Sequence, residues 1–175
     1  TMSYAIESIA QSIGARRVGE YEATIDWLLT DSRSLSFPEE TLFFALTTKR
    51  NSGVRYIPEL YDRGVRNFVI SEEEFKQVEN GELRIESAMQ DDDAQPILNS
   101  QLSTLNFPST LNFLIVPNPL KALQKLAEVH RERFNIPVIG ITGSNGKTIV
   151  KEWLHQLLSP DRCIVRSPRS YNSQI

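Results

Sequence analysis

The sequence predicts an α/β protein: a small first layered region, followed by the start of a parallel-sheet, phosphate-binding unit. Three observations carry this expectation. Strand-like and helix-like stretches alternate from Ile6 to Ser71. The run "IPVIGIT", Ile136 to Thr142, is continuously apolar, as strands buried on both faces of a parallel sheet are. A glycine turn, Thr142 to Thr148 ("TGSNGKT"), joins that run to a helical pattern.

Taken in order, Ile6, Ile9, Ala10 and Ile13 recur at helical spacing, and Gly14 is a natural stop. "TIDWLLTDSR" reads as a strand running into a polar turn at Asp31-Ser32-Arg33, and "TLFFALTT" as a second buried strand followed by the loop "KRNSG". "IPELYDRG" reads as a short helix closed by Gly64, and "VRNFVIS" as the next strand. From Glu72 to Leu111 no period is sustained, which predicts a solvated insertion with one or two short elements. After it, "LNFLIVPNP" reads as a strand, with Asn118 as N-cap and Pro119 at the first helical position. Leu120, Leu123, Leu126, Ala127 and Phe134 then mark one helix face. Ile149, Val150, Trp153, Leu154, Leu157 and Leu158 mark another, ended by Pro160, and "CIVRS" reads as a further strand. The expected domains are 1–117 and 118–175, divided near Pro117 to Pro119.

Bulk properties narrow the function classes. A formal charge of −3 over 175 residues argues against nucleic-acid binding by bulk electrostatics. One cysteine, Cys163, excludes an internal disulfide framework and fits a reducing compartment. The start, "TMSYAIESIAQSIGARR", lacks the apolar core of a signal peptide, and runs such as "FLIVP" are too short to span a bilayer. The expectation is a cytoplasmic protein without membrane insertion. His130 and His155 have no partner at metal-ligand spacing, and the Asp91 to Asp93 run lacks the spacing of a calcium loop. Cys163, Trp27 and Trp153 are expected to pack into apolar surroundings.

The glycine turn carries the chemistry. The strict P-loop pattern fails, because Ile141 stands where its first glycine belongs. What remains suits phosphate nonetheless. Gly143 and Gly146 let the backbone turn tightly and bring N–H groups close to phosphate oxygens, with Thr142, Ser144 and Asn145 completing the loop. The helix beginning at Lys147 adds unbonded N–H groups and the positive end of its dipole. Lys147 offers a point charge to terminal phosphates, and Thr148 a hydroxyl to Mg²⁺.

These residues resemble the Mur ligases, ATP-dependent amide-forming enzymes of peptidoglycan synthesis. The T-G-x-x-G-K-T loop without an early glycine is that family's variant, and Ser144 with the Lys151-Glu152 pair is most similar to its MurF branch. "LLTDSRSLSFPEETLFFAL" is similar to the family's D-S-R segment, "NPLKALQKLAEVHRERF" to the connection between its first two domains, and "SYNSQI" to its N-x-N-N-x-I-G segment. Three positions depart: Ile149 replaces a second threonine, Ser52-Gly53-Val54 stands for D-G-H, and Asn172-Ser173 for paired asparagines.

The resemblance implies a UDP-muramoyl-peptide-binding domain over 1–117 and the beginning of a central ATP-binding domain over 118–175. It implies ATP and Mg²⁺ at Thr142 to Thr148, with Lys147 and Thr148 as catalytic residues and Thr148 as metal ligand. The UDP part of the substrate falls to Ser32 and Arg33 and, more weakly, to Lys49, Arg50 and Asn51, with Asn172 as a further substrate-binding residue. For Asp31-Ser32-Arg33 a plain polar turn with an internal ion pair is the competing reading. The implied reaction adds D-alanyl-D-alanine to UDP-N-acetylmuramoyl tripeptide through an acyl phosphate, in a monomeric enzyme. The alternatives are addition of the third peptide residue, as in the MurE branch, or a nucleotide-binding module without ligase chemistry. The 175 residues are expected to be an N-terminal fragment, inactive alone, whose parent could carry an alanine racemase domain.

Overall fold

The structure, a computed structural model, describes residues 3–48, 52–79 and 111–167. The chain divides into two compact units, Thr1–Glu132 and Arg133–Ile175.

The first unit opens with strand β1 (Tyr4–Ala5) and helix α1 (Ile6–Ile13), whose apolar face is Ile6, Ile9 and Ala10. Gly14 ends the helix at φ 65°, where Gly14 and Ala15 donate N–H bonds to the Gln11 and Ala10 carbonyls. A residue without Cβ adopts that left-handed turn at no steric cost. Strands β2 (Arg16–Val18), β3 (Thr24–Ile25), β4 (Trp27–Leu29) and β5 (Thr41–Phe44) follow. Helix α2 (Ile57–Asp62) leads through Gly64, at φ 99°, into β6 (Asn67–Ser71), and helix α3 (Glu72–Glu79) follows directly. Strand β7 (Asn112–Val116) and helix α4 (Pro119–Glu132) complete the unit. The Lys121 amide donates to Asn118 Oδ1 at 3.0 Å, so Asn118 caps α4 as its sequence position predicts.

β1 and β3 form an antiparallel pair, and the main sheet runs β2-β7-β6-β5-β4. β4, β5, β6 and β7 are mutually parallel, with β2 antiparallel along β7. Side chains of successive strand residues leave the sheet on opposite faces, and the core divides accordingly. Phe43, Phe68, Ile70, Phe113 and Ile115 lie on one face with Ile57 and Leu60 of α2 and Phe75 and Val78 of α3. Leu42, Phe44, Val69, Leu114 and Val116 lie on the other with Ile6 and Ile9 of α1 and Ala122 and Leu126 of α4. Helices therefore cover both faces of a parallel sheet, the arrangement that continuously apolar strands require.

Ala122, Leu123 and Leu126 of α4 pack on the same core as α1, so the first compact unit runs to Glu132. Some expectations about single elements are corrected. Within the helix face read from the sequence, Ala127 and Phe134 are exposed. β2 was not expected: it is short and polar, and it is a strand because it pairs with β7.

The second unit contains one regular element among its described residues, helix α5 (Lys147–Leu158). "IPVIGIT" and "CIVRS", both expected as strands, have no strand pairing. None of the unit's described residues is buried. Cys163 is exposed, and Trp153 retains 68% of its surface, against the expectation that both pack. One helix and two extended segments have too few neighbours to enclose these side chains.

Candidate functional site

Two places in the chain meet the chemical expectations, one in each unit. In the first unit β4, β5 and β6 point the same way. The residues just past their ends therefore share one edge of the sheet, the edge where ligands of open parallel sheets sit.

Beyond β4, residues Ser32–Ser34 form a 3₁₀ turn capped by Asp31, whose Oδ1 accepts the Arg33 amide at 3.1 Å. The guanidinium returns to the same carboxylate, with Arg33 Nε 2.9 Å from Oδ1 and NH2 2.6 Å from Oδ2. Hydrogen bonds from the Arg33 side chain, then from its backbone, hold Asp31 well below its ordinary 3.8, at about 2. Arg33 is raised in turn, by Asp31 first, with Tyr56 beyond β5 among the lesser causes. The Arg33 side chain is 87% exposed, so its planar fork faces solvent as well as its partner. Ser32 is buried, and its carbonyl accepts from Arg63 NH1 at 2.9 Å. The internal ion pair of a plain polar turn is thus present, on a turn anchored from α2's end. Lys49, Arg50, Asn51 and Asn172 lie outside the described residues.

In the second unit the glycine turn has the backbone its sequence calls for. Gly143 stands at φ 143° and Gly146 at φ 80°, conformations that side chains with a Cβ resist. Gly146 is the N-cap of α5, and among the described residues no side chain caps it. The first N–H groups of the helix are therefore directed to whatever lies beyond the turn. The Lys147 ammonium bends back to the Gly143 carbonyl. Ser144 through Thr148 and Arg162 through Ser167 both line an open hollow of about 1130 Å³. Lys151 and Arg166 line it too, each ion-paired to Glu152 Oε1, at 3.4 and 2.7 Å. Positive φ at both glycines, an uncapped helix start and a cationic hollow fit a polyphosphate.

The structure gathers Ser144, Asn145, Gly146, Lys147 and Thr148 at one hollow, with Thr142 and Gly143 in the same loop but off its lining. Sequence reasoning passed over Arg162 and Arg166, whose placement at the hollow follows from folding of the segment after α5. It also passed over Glu74, which sits at the sheet edge. The pattern Ser71-x-x-Glu74 was a readable helix-start signal for it. Among the described residues no group of three His, Cys, Asp or Glu is placed to hold a metal ion. No helix there is long and apolar enough to cross a membrane.

No family model matches the chain. Over 172 residues it is 26% identical to the UDP-N-acetylmuramoyl-tripeptide–D-alanyl-D-alanine ligase of Bacillus subtilis (strain 168), covering 97% of this chain and 31% of that protein. The ligase of the same name from Borreliella burgdorferi is 28% identical over 156 residues, covering 88% and 29%. That of Synechocystis is 39% identical over a shorter stretch of 66 residues, 38% of this chain and 14% of the relative. In fold, the chain superposes on MurF from Acinetobacter baumannii with a TM-score of 0.64 at 21% identity, over 91% of this chain and 28% of that one. The chain spans under a third of the length of the curated relatives it matches. Along 97% of its length the chain is thus similar in sequence to a UDP-N-acetylmuramoyl-tripeptide–D-alanyl-D-alanine ligase, and over 91% it shares the fold of MurF.

Proposed function

We propose that these residues supply the UDP-sugar-nucleotide edge and the phosphate loop of a cytoplasmic, ATP-dependent ligase that adds D-alanyl-D-alanine to UDP-N-acetylmuramoyl tripeptide. The observation that carries this reading is the turn Thr142 to Thr148, with positive φ at Gly143 and Gly146 and Lys147 at an uncapped helix start. The names of the relatives supply the substrates.

In this reading the backbone N–H groups of Ser144 to Lys147 surround the phosphates of ATP, and the Lys147 ammonium leaves the Gly143 carbonyl to neutralise their charge. The Thr148 hydroxyl is the ligand this unit offers to Mg²⁺. ATP would supply the phosphoryl group that activates the substrate carboxylate. The contribution of these residues is positioning and charge neutralisation. In the first unit, Ser32 and Arg33 hold the diphosphate of the UDP-muramoyl peptide together with Lys49, Arg50 and Asn51; Asn172 is assigned to substrate binding by the family resemblance alone. The domain assignment follows: UDP-muramoyl peptide at residues 1–117 and ATP within 118–175, with α4 packed on the first unit.

The test is ligase activity in a polypeptide of the relatives' length carrying this sequence. Lys147→Ala is expected to lower turnover about 100-fold or more while circular dichroism stays unchanged. Near-normal turnover at saturating ATP would remove Lys147 from the phosphate site. Arg33→Ala is expected to weaken binding of the UDP-muramoyl peptide and leave ATP binding unchanged. Equal affinity in calorimetry would leave Asp31-Ser32-Arg33 as a turn and nothing more.

A further inference from the structure

Three hydroxyls from separate segments converge on one carboxylate at the substrate edge. Ser71, the last residue of β6, donates its hydroxyl to Glu74 Oε2 at 2.7 Å. Ser52, ahead of the 3₁₀ turn Gly53–Tyr56, donates to Oε1 at 3.2 Å, and Thr47, just past β5, donates to the same oxygen. Ser71 Oγ also accepts the Glu74 amide at 3.2 Å, so the carboxylate is fixed to the start of α3. The Thr47 and Ser52 hydroxyl oxygens are 3.4 Å apart although residues 48–51 lie between them. A second contact closes the same loop. A Cβ on Gly53 would stand 2.6 Å from the Leu46 nitrogen and 2.7 Å from the Ala45 carbonyl carbon, so glycine alone lets the two backbone stretches meet.

We propose that Glu74 is a positioning residue for the anion-binding edge of the first unit. Its carboxylate ties Thr47 and Ser52, which flank Lys49, Arg50 and Asn51 in sequence, to the exit of β6. The inference rests on the reading of this edge as the UDP-substrate site. Glu74 is not itself a phosphate ligand, because a carboxylate repels an anion. It acts by accepting from hydroxyls, and three charge-assisted bonds hold a loop end more firmly than neutral ones do.

The variants that separate the possibilities are Glu74→Gln, Thr47→Val and Thr47→Ser. Glutamine keeps the size and the helix start but replaces one acceptor oxygen with a donor, so at least one hydroxyl loses its partner. Valine keeps the shape of threonine without the hydroxyl, and serine restores the hydroxyl. Two measurements on the 175-residue chain read the result: calorimetric affinity for UDP-N-acetylmuramoyl tripeptide, and amide exchange of the ligand-free protein.

Glu74→Gln and Thr47→Val are expected to weaken the ligand about tenfold, and Thr47→Ser to bind as wild type. Amides from Leu46 to Gly53 should exchange about tenfold faster in Glu74→Gln, with β6 and β7 unchanged. Should Glu74→Gln fail to fold, the valine and serine pair carries the test. Equal affinity and equal loop exchange in wild type and Glu74→Gln overturn the clamp while leaving the substrate reading in place. No binding by wild type means that the substrate reading fails and the proposal falls with it.

Discussion

"NFLIV" and "IPVIG" are both short apolar runs, and they end in opposite environments. Every residue of Asn112–Val116 is buried. Ile136, Val138 and Ile139 keep 55%, 64% and 61% of their surface. The helices that follow repeat the contrast: α4 buries Ala122 and Leu126, while α5 buries nothing. The runs differ in their neighbours more than in their composition. β7 lies between β6 and β2, and helices pack over both its faces. The run ending at Thr142 has no paired strand on either side among the described residues. Burial of a parallel strand is thus conferred by the elements around it, and an apolar sequence states only the requirement.

The largest effect that would break this comparison is a pair of aromatic truncations. Phe68 is fully buried between Phe43 and Phe113, with ring centroids 6.3 and 5.7 Å away. Phe68→Ala is expected to cost about 3–5 kcal/mol in denaturant unfolding. Trp153→Ala, with its side chain largely in solvent, should stay within about 0.5 kcal/mol of wild type. Comparable losses in the two variants would mean that α5 packs as tightly as the sheet.

A smaller effect sharpens the contrast at the helix starts. α4 begins with a side-chain cap and α5 with an uncapped glycine. Asn118→Ala should lower the stability of the first unit by about 1 kcal/mol. Gly146→Ala should leave that unit's unfolding midpoint unchanged and strain the phosphate loop at its positive φ instead. The reverse pattern in the unfolding curves would contradict the assignment of α4 to the first unit.

The smallest effect is electrostatic and confined to the turn Asp31-Ser32-Arg33. Asp31 has a folded-state pKa depressed to about 2 from 3.8, so its ion pair is complete above 3.8 and is lost as pH falls through about 2. Carboxyl-carbon NMR titration should give that low midpoint in wild type and a higher one in Arg33→Ala, still short of 3.8 because the backbone amide at 33 goes on donating to Asp31. An unchanged midpoint in the variant would remove Arg33 as the cause. The overall unfolding midpoint should move little, since the pair is exposed.

What could be read from the sequence was whatever a residue decides locally. Gly14, Gly64, Gly143 and Gly146 mark turns because each takes a positive φ, and Asn118-Pro119 starts a helix because cap chemistry needs only neighbouring residues. What could not be read is made between distant residues. β2 is a strand through its pairing with β7 across the insertion. α3 carries only Phe75 and Val78 as buried anchors in a charged octet, too sparse for a period to show. Arg63 holds the Ser32 carbonyl from the far end of α2. The glycine turn and helix start were legible because apolar run, glycines, lysine and helix are contiguous, and the exposure of the apolar flanks was not, because exposure depends on what lies beside them.

Amide hydrogen exchange across the whole chain tests the account's central claim most directly, since it reads both apolar runs and both helices in one sample. Amides of β5, β6 and β7 are expected to exchange only through global unfolding, and those of α5 and of Val138 to Ile141 at least about 100-fold faster. Protection of α5 and of the "IPVIGIT" run equal to that of β7 would contradict the division of the chain into a buried first unit and an exposed unit around the glycine turn.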